Sequence, residues 1–485
     1  MAAGRIEPVA VEHPRQSYRV TLALLTVAGI SFAVMQTLVV PALPFFQREF
    51  DTSAAWVTWI ATGFLLSSSV LTPILGKLGD AYGKKRLLVI SLGIFGLASL
   101  GAAAAWSLES LIFFRVVQGS GAAVFPLSFG IIRDEFPPEK VGLGIGTVSS
   151  VFGVGGGVGL VLSGVIIEHL TWHWLFLIGA VPVLASTVLL ALFVPESPVK
   201  FPTRPDYLGA LTLSLALGSL LVAISEGTNW GWTSAGVLGL LGFAAVMFTL
   251  WTSIEHRVPE PMVDLRTFAR REMAATNVTT LLMGFSMFST FILLPNFVQI
   301  PLGLPPDLAA RVDYGFGASP IEVGLFFVPS SIAMMVAGPL AGALGTKIGN
   351  AVTLRIGIGF LVLSLTLLAS VHDAPWTIYA WMVFMGIGLA FSFASLGTLV
   401  IENSPPGETG IASGMNTIMR TIGAALGSQV AAAIISANTI AGTEIPLERG
   451  FTLAFAISAA GALVALLPTF LLARRPAPRP LPEAV

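Results

Sequence analysis

The chain has 485 residues, of which 55% are hydrophobic and 11% are charged, and its formal net charge at pH 7 is −1. Soluble domains carry about 25% charged residues, so this composition excludes water as the main solvent of the chain. The near-neutral charge gives no reason to expect a nucleic-acid partner, and the absence of cysteine excludes disulfides and thiolate metal sites. The five histidines have no paired ligand spacing, so we expect no metal ion and no cofactor.

Long apolar runs follow one another along the sequence. A helix needs about 20 apolar residues to cross about 30 Å of hydrocarbon, and this length predicts an all-α polytopic membrane protein with fourteen transmembrane helices. The first run exceeds a signal-peptide core and lacks a small-residue cleavage pattern, so we expect it to be retained. The predicted spans are residues 19–42, 54–76, 86–106, 110–132, 142–166, 172–194, 208–226, 235–255, 274–300, 321–344, 352–371, 376–401, 411–438 and 451–473.

The distribution of basic residues tests this count of spans. With a cytoplasmic N-terminus, the outside loops hold only Arg48, Arg311 and Arg449, and two more arginines, Arg115 and Arg420, fall within spans. All other lysines and arginines then lie on the cytoplasmic side, as the positive-inside rule requires. We therefore predict a multi-pass protein of the plasma (inner) membrane with both termini cytoplasmic, and we expect a bacterial source and a monomer.

The end of the first span combines polar and apolar residues. Residues 34–44 read VMQTLVVPALP, which resembles the LDxTxVNxALP stretch of the fourteen-helix drug:proton antiporters, a branch of the major facilitator superfamily. Thr37 and the final Ala-Leu-Pro match, but Met35 occupies the slot of an acid and Val40 that of an asparagine. The carboxylate that the resemblance would assign to proton transfer is therefore missing here.

A polar, glycine-rich loop follows the second span. Residues 76–86 read GKLGDAYGKKR, in which Gly76 and Gly83 allow a tight turn and close helix approach. Asp80 can accept hydrogen bonds from a neighbouring helix N-terminus or an arginine and so hold an inner gate shut, whereas residues 84–86 are expected to face anionic lipid. A plain basic loop explains the cations but neither the acid nor the three glycines, and the stretch resembles the superfamily motif GxLaDrxGrkxxl. The predicted gate residues are Gly76, Gly79, Asp80, Gly83, Lys84 and Arg86.

The fourth span contains an arginine. Arg115 within a span costs about 2.5–3.5 kcal/mol, so it should face protein or water and have a partner. Residues 111–123 read LIFFRVVQGSGAA and resemble the family motif lxxxRxxqGxgaa, whose arginine serves proton coupling in the antiporters by tuning a nearby carboxylate. The alternative is a structural arginine capped by backbone carbonyls. The predicted coupling residues are Arg115, Gln118, Gly119 and Gly121.

The fifth span is rich in glycine, which permits close packing against a neighbour or bending during gating. It resembles an antiporter motif that ends in GPxxGG, with Leu160 in the proline slot and Ser163 in the first slot of the final glycine pair. Close packing and a hinge for antiport both remain open. The predicted hinge residues are Gly153, Gly157, Gly159 and Gly164.

The loop motif recurs in the second half of the chain. Residues 342–349 read GALGTKIG after the tenth span, with the glycine spacing of the stretch that begins at residue 76. Spans one to six then correspond to spans nine to fourteen, and spans seven and eight are an insertion, as expected for a major facilitator fold with a midplane substrate site. The predicted parts are a tail, 1–18, a six-helix bundle, 19–194, an inserted two-helix segment, 195–273, a second bundle, 274–473, and a tail, 474–485.

The duplication predicts a central cavity lined by spans one, two, four, five, nine, ten, twelve and thirteen. Its polar candidates lie among methionine and phenylalanine, a mixture that suits a bulky, partly apolar solute. Each such residue taken singly is more often core or lipid-facing. The candidate cavity residues are Gln36, Thr37, Phe288, Asn296, Gln299, Asn416 and Arg420.

These motifs favour a secondary transporter that exports small lipophilic compounds across the lipid bilayer in exchange for protons. The missing acid at residue 35 keeps open a lipid, siderophore or metabolite exporter, or an uncoupled facilitator. A non-transporting sensor or scaffold would leave the loop motif and Arg115 without a purpose. An enzyme is not expected, because the sequence has no HExxH, GxSxG or Walker motif.

Overall fold

The computed structural model describes residues 17–39, 41–197, 206–301, 312, 314–405, 407–440, 443 and 445–472. In this part of the chain, fourteen helices are long and apolar enough to cross a membrane, which confirms the predicted number of spans. The predicted tails, apart from residues 17 and 18, and most of the loop between the ninth and tenth spans lie outside the described residues. Two short helices, Leu43–Glu49 and Leu265–Phe268, lie between these spans. The fourteen long helices are α1 (Tyr18–Leu38), α2 (Ala54–Tyr82), α3 (Lys84–Ala103), α4 (Leu108–Glu135), α5 (Pro138–His169), α6 (Trp174–Phe193), α7 (Tyr207–Trp230), α8 (Ala235–Glu255), α9 (Arg271–Val298), α10 (Pro320–Ile348), α11 (Asn350–Ser370), α12 (Pro375–Asn403), α13 (Thr409–Ala437) and α14 (Glu448–Thr469).

Several helices continue beyond the predicted spans. The apolar pattern of α2 fades near residue 76, yet the helix continues through the polar residues that follow, as far as Tyr82. It ends where Gly83 adopts a φ of 117°, and α10 ends in the same way at Gly349, with a φ of 91°. Only glycine adopts such angles at no steric cost. The two copies of the loop motif therefore share a backbone geometry as well as a spacing.

We name the two ends of the bundle after residues. The Tyr18 face is the end at which α1 begins and α2 ends, and the Glu168 face is the opposite end, at which α5 ends. The α4 helix crosses between them with a 3₁₀ turn at Gly119–Ala123, directly after Gln118.

Two large apolar cores hold the described helices together, and a third, smaller one joins α7 and α8 to α13. One large core is built almost wholly from α1–α6 and the other from α9–α14, with Phe152 of α5 packed against both. The halves meet where α5 packs along α10 and where α2 packs on α13. Of the inserted pair, α7 contacts α2, α13 and α8, whereas α8 has the lowest buried share of the fourteen helices. The pair is thus attached to the bundle mainly through α7.

Candidate transport cavity and gate

A cavity of about 650 Å³ lies between the two halves. Its lining runs from the exposed side chains of Arg48, Glu168 and Gln299 at the Glu168 face to Arg115 and Arg420 inside the bundle. The wall is mostly apolar, with Phe288 and Phe291 among its rings. This volume suits a drug-sized molecule held by apolar contacts and a few polar groups.

The structure brings most of the predicted cavity residues together. The predicted residues in the lining are Gln36, Thr37, Phe288, Asn296, Gln299 and Arg420. Asn416 is not among them, since its amide donates to the Asn277 carboxamide oxygen at 2.9 Å and to the Thr280 hydroxyl at 2.8 Å and so links α13 to α9. The expected α12 contributes no lining residue, and α7 supplies Leu221 and Ser225 instead. α7 takes part in the lining because it packs against both α2 and α13.

Arg115 is held by neutral groups. Its side chain is 1% exposed, and its Nε and Nη1 donate to the Ile60 carbonyl at 3.0 Å and to the Gln118 Oε1 at 2.7 Å. Its guanidinium carbon lies 4.3 Å from the centre of the Phe64 ring. The expected partners are present, but they are a carbonyl, an amide and a ring in place of a carboxylate.

The hydrogen bonds of Arg115 continue away from the cavity toward Met35. Gln118 Nε2 donates to the Ser99 hydroxyl at 2.8 Å, and that hydroxyl lies 3.6 Å from the Met35 sulfur. Met35 is 1% exposed and packs where a side chain at Gly179 would clash with it. The slot that holds an acid in relatives is therefore inside the first half, outside the cavity lining.

Two glycines follow this network in α4. A Cβ atom at Gly119 would overlap the Ser67 hydroxyl, and one at Gly121 would lie 2.6 Å from the Phe95 ring. Both therefore serve the close approach of α4 to α2 and α3, next to Gln118.

Arg420 enters the same cavity from α13. Its guanidinium carbon lies 4.1 Å from the centre of the Phe152 ring and 5.6 Å from that of Phe393. Stacking on ring faces stabilises a cation without cancelling its charge. Arg115 and Arg420 thus reach one cavity from opposite halves.

Contacts between the two halves close the bundle at the Tyr18 face. Asp80 is 2% exposed, and its two carboxylate oxygens accept hydrogen bonds from the backbone amides of Gly410 and Ile411 at 3.2 and 3.1 Å. These amides lie in the first turn of α13, where the helix dipole favours a negative charge. The acceptor role expected for Asp80 is present, and the donor helix belongs to the second half.

The three motif glycines permit this contact. A Cβ atom at Gly76 would overlap the Gly410 carbonyl oxygen, and one at Gly79 would overlap the Leu127 side chain. At Gly83, a Cβ atom would lie 2.7 Å from the Glu196 carboxylate, which accepts from the first amides of α3. The glycines therefore bring α2 within contact of α13, α4 and the end of α6.

Lys84 is not at the lipid surface, which corrects the expectation for this residue. It is 1% exposed, and its Nζ lies 2.8 Å from an Asp134 oxygen and 3.5 Å from an Asp80 oxygen. Because it begins α3 directly after Gly83, its side chain turns into the bundle beside α4. Arg86, two residues on, is exposed.

Sequence reasoning missed a second link across the halves. Arg133, near the end of α4, donates to the Thr409 hydroxyl at 2.5 Å and to the Ser404 carbonyl at 3.4 Å. Asp134 and Glu196 were missed as well, although both are acids next to the basic loop in the predicted topology. That proximity of opposite charges at one membrane face was the available signal.

The predicted hinge glycines face neighbouring helices. Cβ atoms at Gly153 and Gly164 would meet Met334 and Ile321 of α10 at 2.7 and 2.9 Å, and one at Gly157 would overlap the Ser331 hydroxyl. Gly159 instead faces α1, where the Thr37 hydroxyl donates to the Gly155 carbonyl at 2.5 Å. α5 is one unbroken helix over Pro138–His169, so in this conformation the glycines serve close packing.

The comparisons with known proteins agree with this architecture. The family model of the major facilitator superfamily matches residues 25–209, 205–428 and 276–485. The chain is 28% identical over 418 residues to the tetracenomycin C resistance and export protein of Streptomyces glaucescens, covering 84% of this chain and 75% of that one. It is 29% identical over 369 residues to multidrug resistance protein 3 of Bacillus subtilis, covering 75% and 69%.

A solved structure gives an independent comparison of the fold. The crystal structure of the human organic anion transporter MFSD10 (TETRAN) superposes with a TM-score of 0.65 at 15% identity, covering 95% of this chain and 100% of that one. The family match and the transporter relatives indicate a membrane transporter rather than an enzyme. The chain belongs to the major facilitator superfamily, and its relatives include proteins named for multidrug resistance and export.

Proposed function

We propose that this transporter exports small lipophilic compounds by alternating access, in exchange for protons. In this proposal the Tyr18 face is the cytoplasmic side of a bacterial inner membrane and the Glu168 face is the outer side. The excess of lysine and arginine at the Tyr18 face supports this orientation. The names of relatives for resistance and export support the direction of transport.

One observation carries the proposal: the cavity reaches the Glu168 face while contacts between the halves close the Tyr18 face. The lining includes the exposed Glu168 and Gln299, and the closure is made by Asp80 and Arg133 with the first turn of α13. An exporter in this state can release a compound outward. Loading from the cytoplasm then requires Asp80 to leave the α13 amides, so the Asp80 contact is the inner gate.

Proton exchange needs a carboxylate that loses and gains its proton during the cycle. Of the acids near the spans, Glu322 caps its own helix and Glu402 is exposed and accepts from Asn350. Asp80 and Glu226 are both 2% exposed. Asp80 holds the gate, and Glu226 follows Ser225, which lines the cavity, so these two are the proposed carriers. In this proposal Arg115, held by Gln118, is the fixed positive charge that favours loss of the proton from the carrier carboxylate.

A second candidate is uncoupled facilitation, or export of a lipid, siderophore or metabolite. It is favoured by Met35, which replaces the acid of the drug:proton antiporters with a buried thioether. In this candidate function the Asp80 contact is still the inner gate, and the concentration gradient of the compound alone sets the direction of transport.

The deciding experiment uses inside-out vesicles that contain the protein and have an acidified lumen. A pH-sensitive dye reports proton release when lipophilic cations, neutral compounds and anions are added in turn. Release that is lost in Arg115→Ala and kept in Arg355→Gln supports proton exchange, since Arg355 bonds Thr469 away from the cavity. Uptake of a compound without proton release supports the uncoupled candidate, and the absence of any uptake contradicts both.

A further inference from the structure

The charges that line the cavity are unevenly distributed. Among the described lining residues, Arg48, Arg115 and Arg420 are cationic, and Glu168 is the single carboxylate. Glu168 is exposed at the mouth, whereas Arg115 and Arg420 lie inside. The deep part of the cavity therefore carries positive charge and no lining carboxylate.

No buried acid of the described residues pairs with these two arginines. Asp80 and Asp134 instead lie 3.5 and 2.8 Å from the Lys84 Nζ. Arg115 uses neutral acceptors, the Ile60 carbonyl and the Gln118 amide oxygen. Arg420 rests on the rings of Phe152 and Phe393. Both positive charges thus remain uncancelled in an apolar surrounding.

The two arginines differ in the donors that they offer to a ligand. Arg115 has committed its Nε and Nη1 to protein acceptors. The guanidinium of Arg420 makes no hydrogen bond within the described part of the chain, and its carbon lies 4.1 Å from the centre of the Phe152 ring at the cavity wall. Five N–H donors in a planar fork match a carboxylate or a similar oxyanion. Arg420 is therefore the group that can bind an acid directly, and Arg115 adds to the positive potential.

The size of the electrostatic effect favours one sign of substrate. Two unit charges at a given distance interact several times more strongly in a protein cavity than in water, because the effective dielectric constant of the cavity is lower. An anion gains this attraction at Arg420, and a cation placed there loses a similar amount. An anion and a cation of equal shape bury the same apolar area against the wall, so their charge determines which of them binds more tightly.

We propose that the compound carried by this cavity is an amphiphilic organic anion, an aromatic body that bears a carboxylate or phenolate. The inference rests on the proposed transport function and names its substrate class. The acid group binds the Arg420 guanidinium, and the aromatic body packs on the wall formed by Phe152, Phe288 and Phe291. Lipophilic cations, which these arginines repel, are poor substrates.

The test compares two dyes that share a xanthene ring system and differ in charge, the anion fluorescein and the cation rhodamine 6G. Binding is measured at pH 8 by fluorescence polarisation on the purified protein in nanodiscs of uncharged phosphatidylcholine, with empty nanodiscs as background. We expect fluorescein to bind at least about tenfold more tightly than rhodamine 6G, and Arg420→Gln to remove that preference. Arg420→Lys should keep part of it, because the charge remains while the planar fork is lost.

The control is Arg355→Gln, because Arg355 stacks 4.7 Å from the Phe470 ring in a similar geometry but outside the cavity. It should leave fluorescein binding unchanged. Rhodamine 6G binding as tight as fluorescein binding, fluorescein binding unaffected by Arg420→Gln, or binding of neither dye overturns the anion assignment. The transport function itself fails only if the vesicle assay also shows no uptake of any compound.

Discussion

The carboxylate of Asp80 and the backbone amide of Ile411 are joined by a 3.1 Å hydrogen bond, although 331 positions separate them in the chain. The bond connects the end of α2 in the first half with the first turn of α13 in the second. Any motion that opens the Tyr18 face has to break it. In the proposed transport cycle, the strength of this contact therefore bears on the balance between the two access states.

Asp80→Asn tests this contact. The amide keeps one acceptor oxygen and sets an N–H₂ group against a backbone N–H, and hydrogen bonds to a charged group are worth about 1.5–3 kcal/mol. We expect the Tyr18 face to open more often. Since the chain has no cysteine, a single Ser413→Cys, at a site 5% exposed, reports opening by its rate of reaction with a hydrophilic maleimide. That rate should rise about tenfold or more.

The control for Asp80→Asn is Glu402→Gln. Glu402 accepts a hydrogen bond from Asn350 at 2.8 Å, so the substitution removes a carboxylate contact that stays within the second half. Equal labelling rates in wild type and Asp80→Asn would show that Asp80 does not hold the gate.

Gly76→Ala tests the approach of α2 to α13 without changing any charge. The added Cβ atom would overlap the Gly410 carbonyl oxygen, a backbone atom that cannot move alone. The halves should separate at the Tyr18 face, and labelling of Ser413→Cys should accelerate. Gly359→Ala is the matched control, because nothing lies within 4 Å of its added Cβ atom. Unchanged labelling in Gly76→Ala would contradict the close approach.

Gln118→Leu tests the support of Arg115. The substitution leaves Arg115 Nη1 and the Ser99 hydroxyl without the bonds that Gln118 makes at 2.7 and 2.8 Å. A buried donor that loses its acceptor costs about 1–3 kcal/mol, and more when it is charged. We expect a lower melting temperature in detergent than for Gln299→Leu, whose site is exposed at the cavity mouth. Equal melting temperatures would mean that Arg115 finds another acceptor.

Met35→Asp tests whether the acid slot of the relatives can be restored. Met35 is 1% exposed and packs against Gly179, outside the cavity lining. An ionised carboxylate there costs several kcal/mol, so the melting temperature should fall and proton release in the vesicle assay should not increase. Met35→Leu, which conserves volume, should cost less than about 1.5 kcal/mol. A stable Met35→Asp variant with increased proton release would establish residue 35 as a coupling position.

Glu408 precedes α13 and introduces a pH dependence outside the spans. Burial raises its pKa above the ordinary value of 4.5, opposed by the nearby charge of Lys77. A raised pKa in the folded state means that protonation of Glu408 stabilises the fold. This contribution to the free energy of unfolding is fully present below pH 4.5 and is lost as the pH rises through the folded-state pKa. Relative to wild type, Glu408→Gln should therefore gain melting temperature as the pH is raised from 4.5. A difference that is constant with pH would contradict this.

The sequence predicted the site only where local chemistry was sufficient. It predicted that Asp80 accepts from a helix N-terminus or an arginine and that Arg115 has partners, because a buried charge requires them wherever the helices lie. It did not predict Lys84 between Asp80 and Asp134, or Arg133 on Thr409, since these contacts depend on the angle at which α3, α4 and α13 cross. Asn416 illustrates the same limit: a polar side chain within a span avoids lipid, but only the packing decides whether it faces a cavity or, as here, hydrogen-bonds to a neighbouring helix.

By itself, the sequence determined the fourteen spans, the duplication and the loop motif, because apolar length, charge and glycine spacing are local properties of the chain. Only the tertiary structure decided that α7 lines the cavity, that Met35 lies outside it, and that Arg115 and Arg420 face one space without a lining carboxylate beside them. Those relations depend on how the two halves and the inserted pair pack against one another. Residues far apart in the chain share a cavity only through that packing.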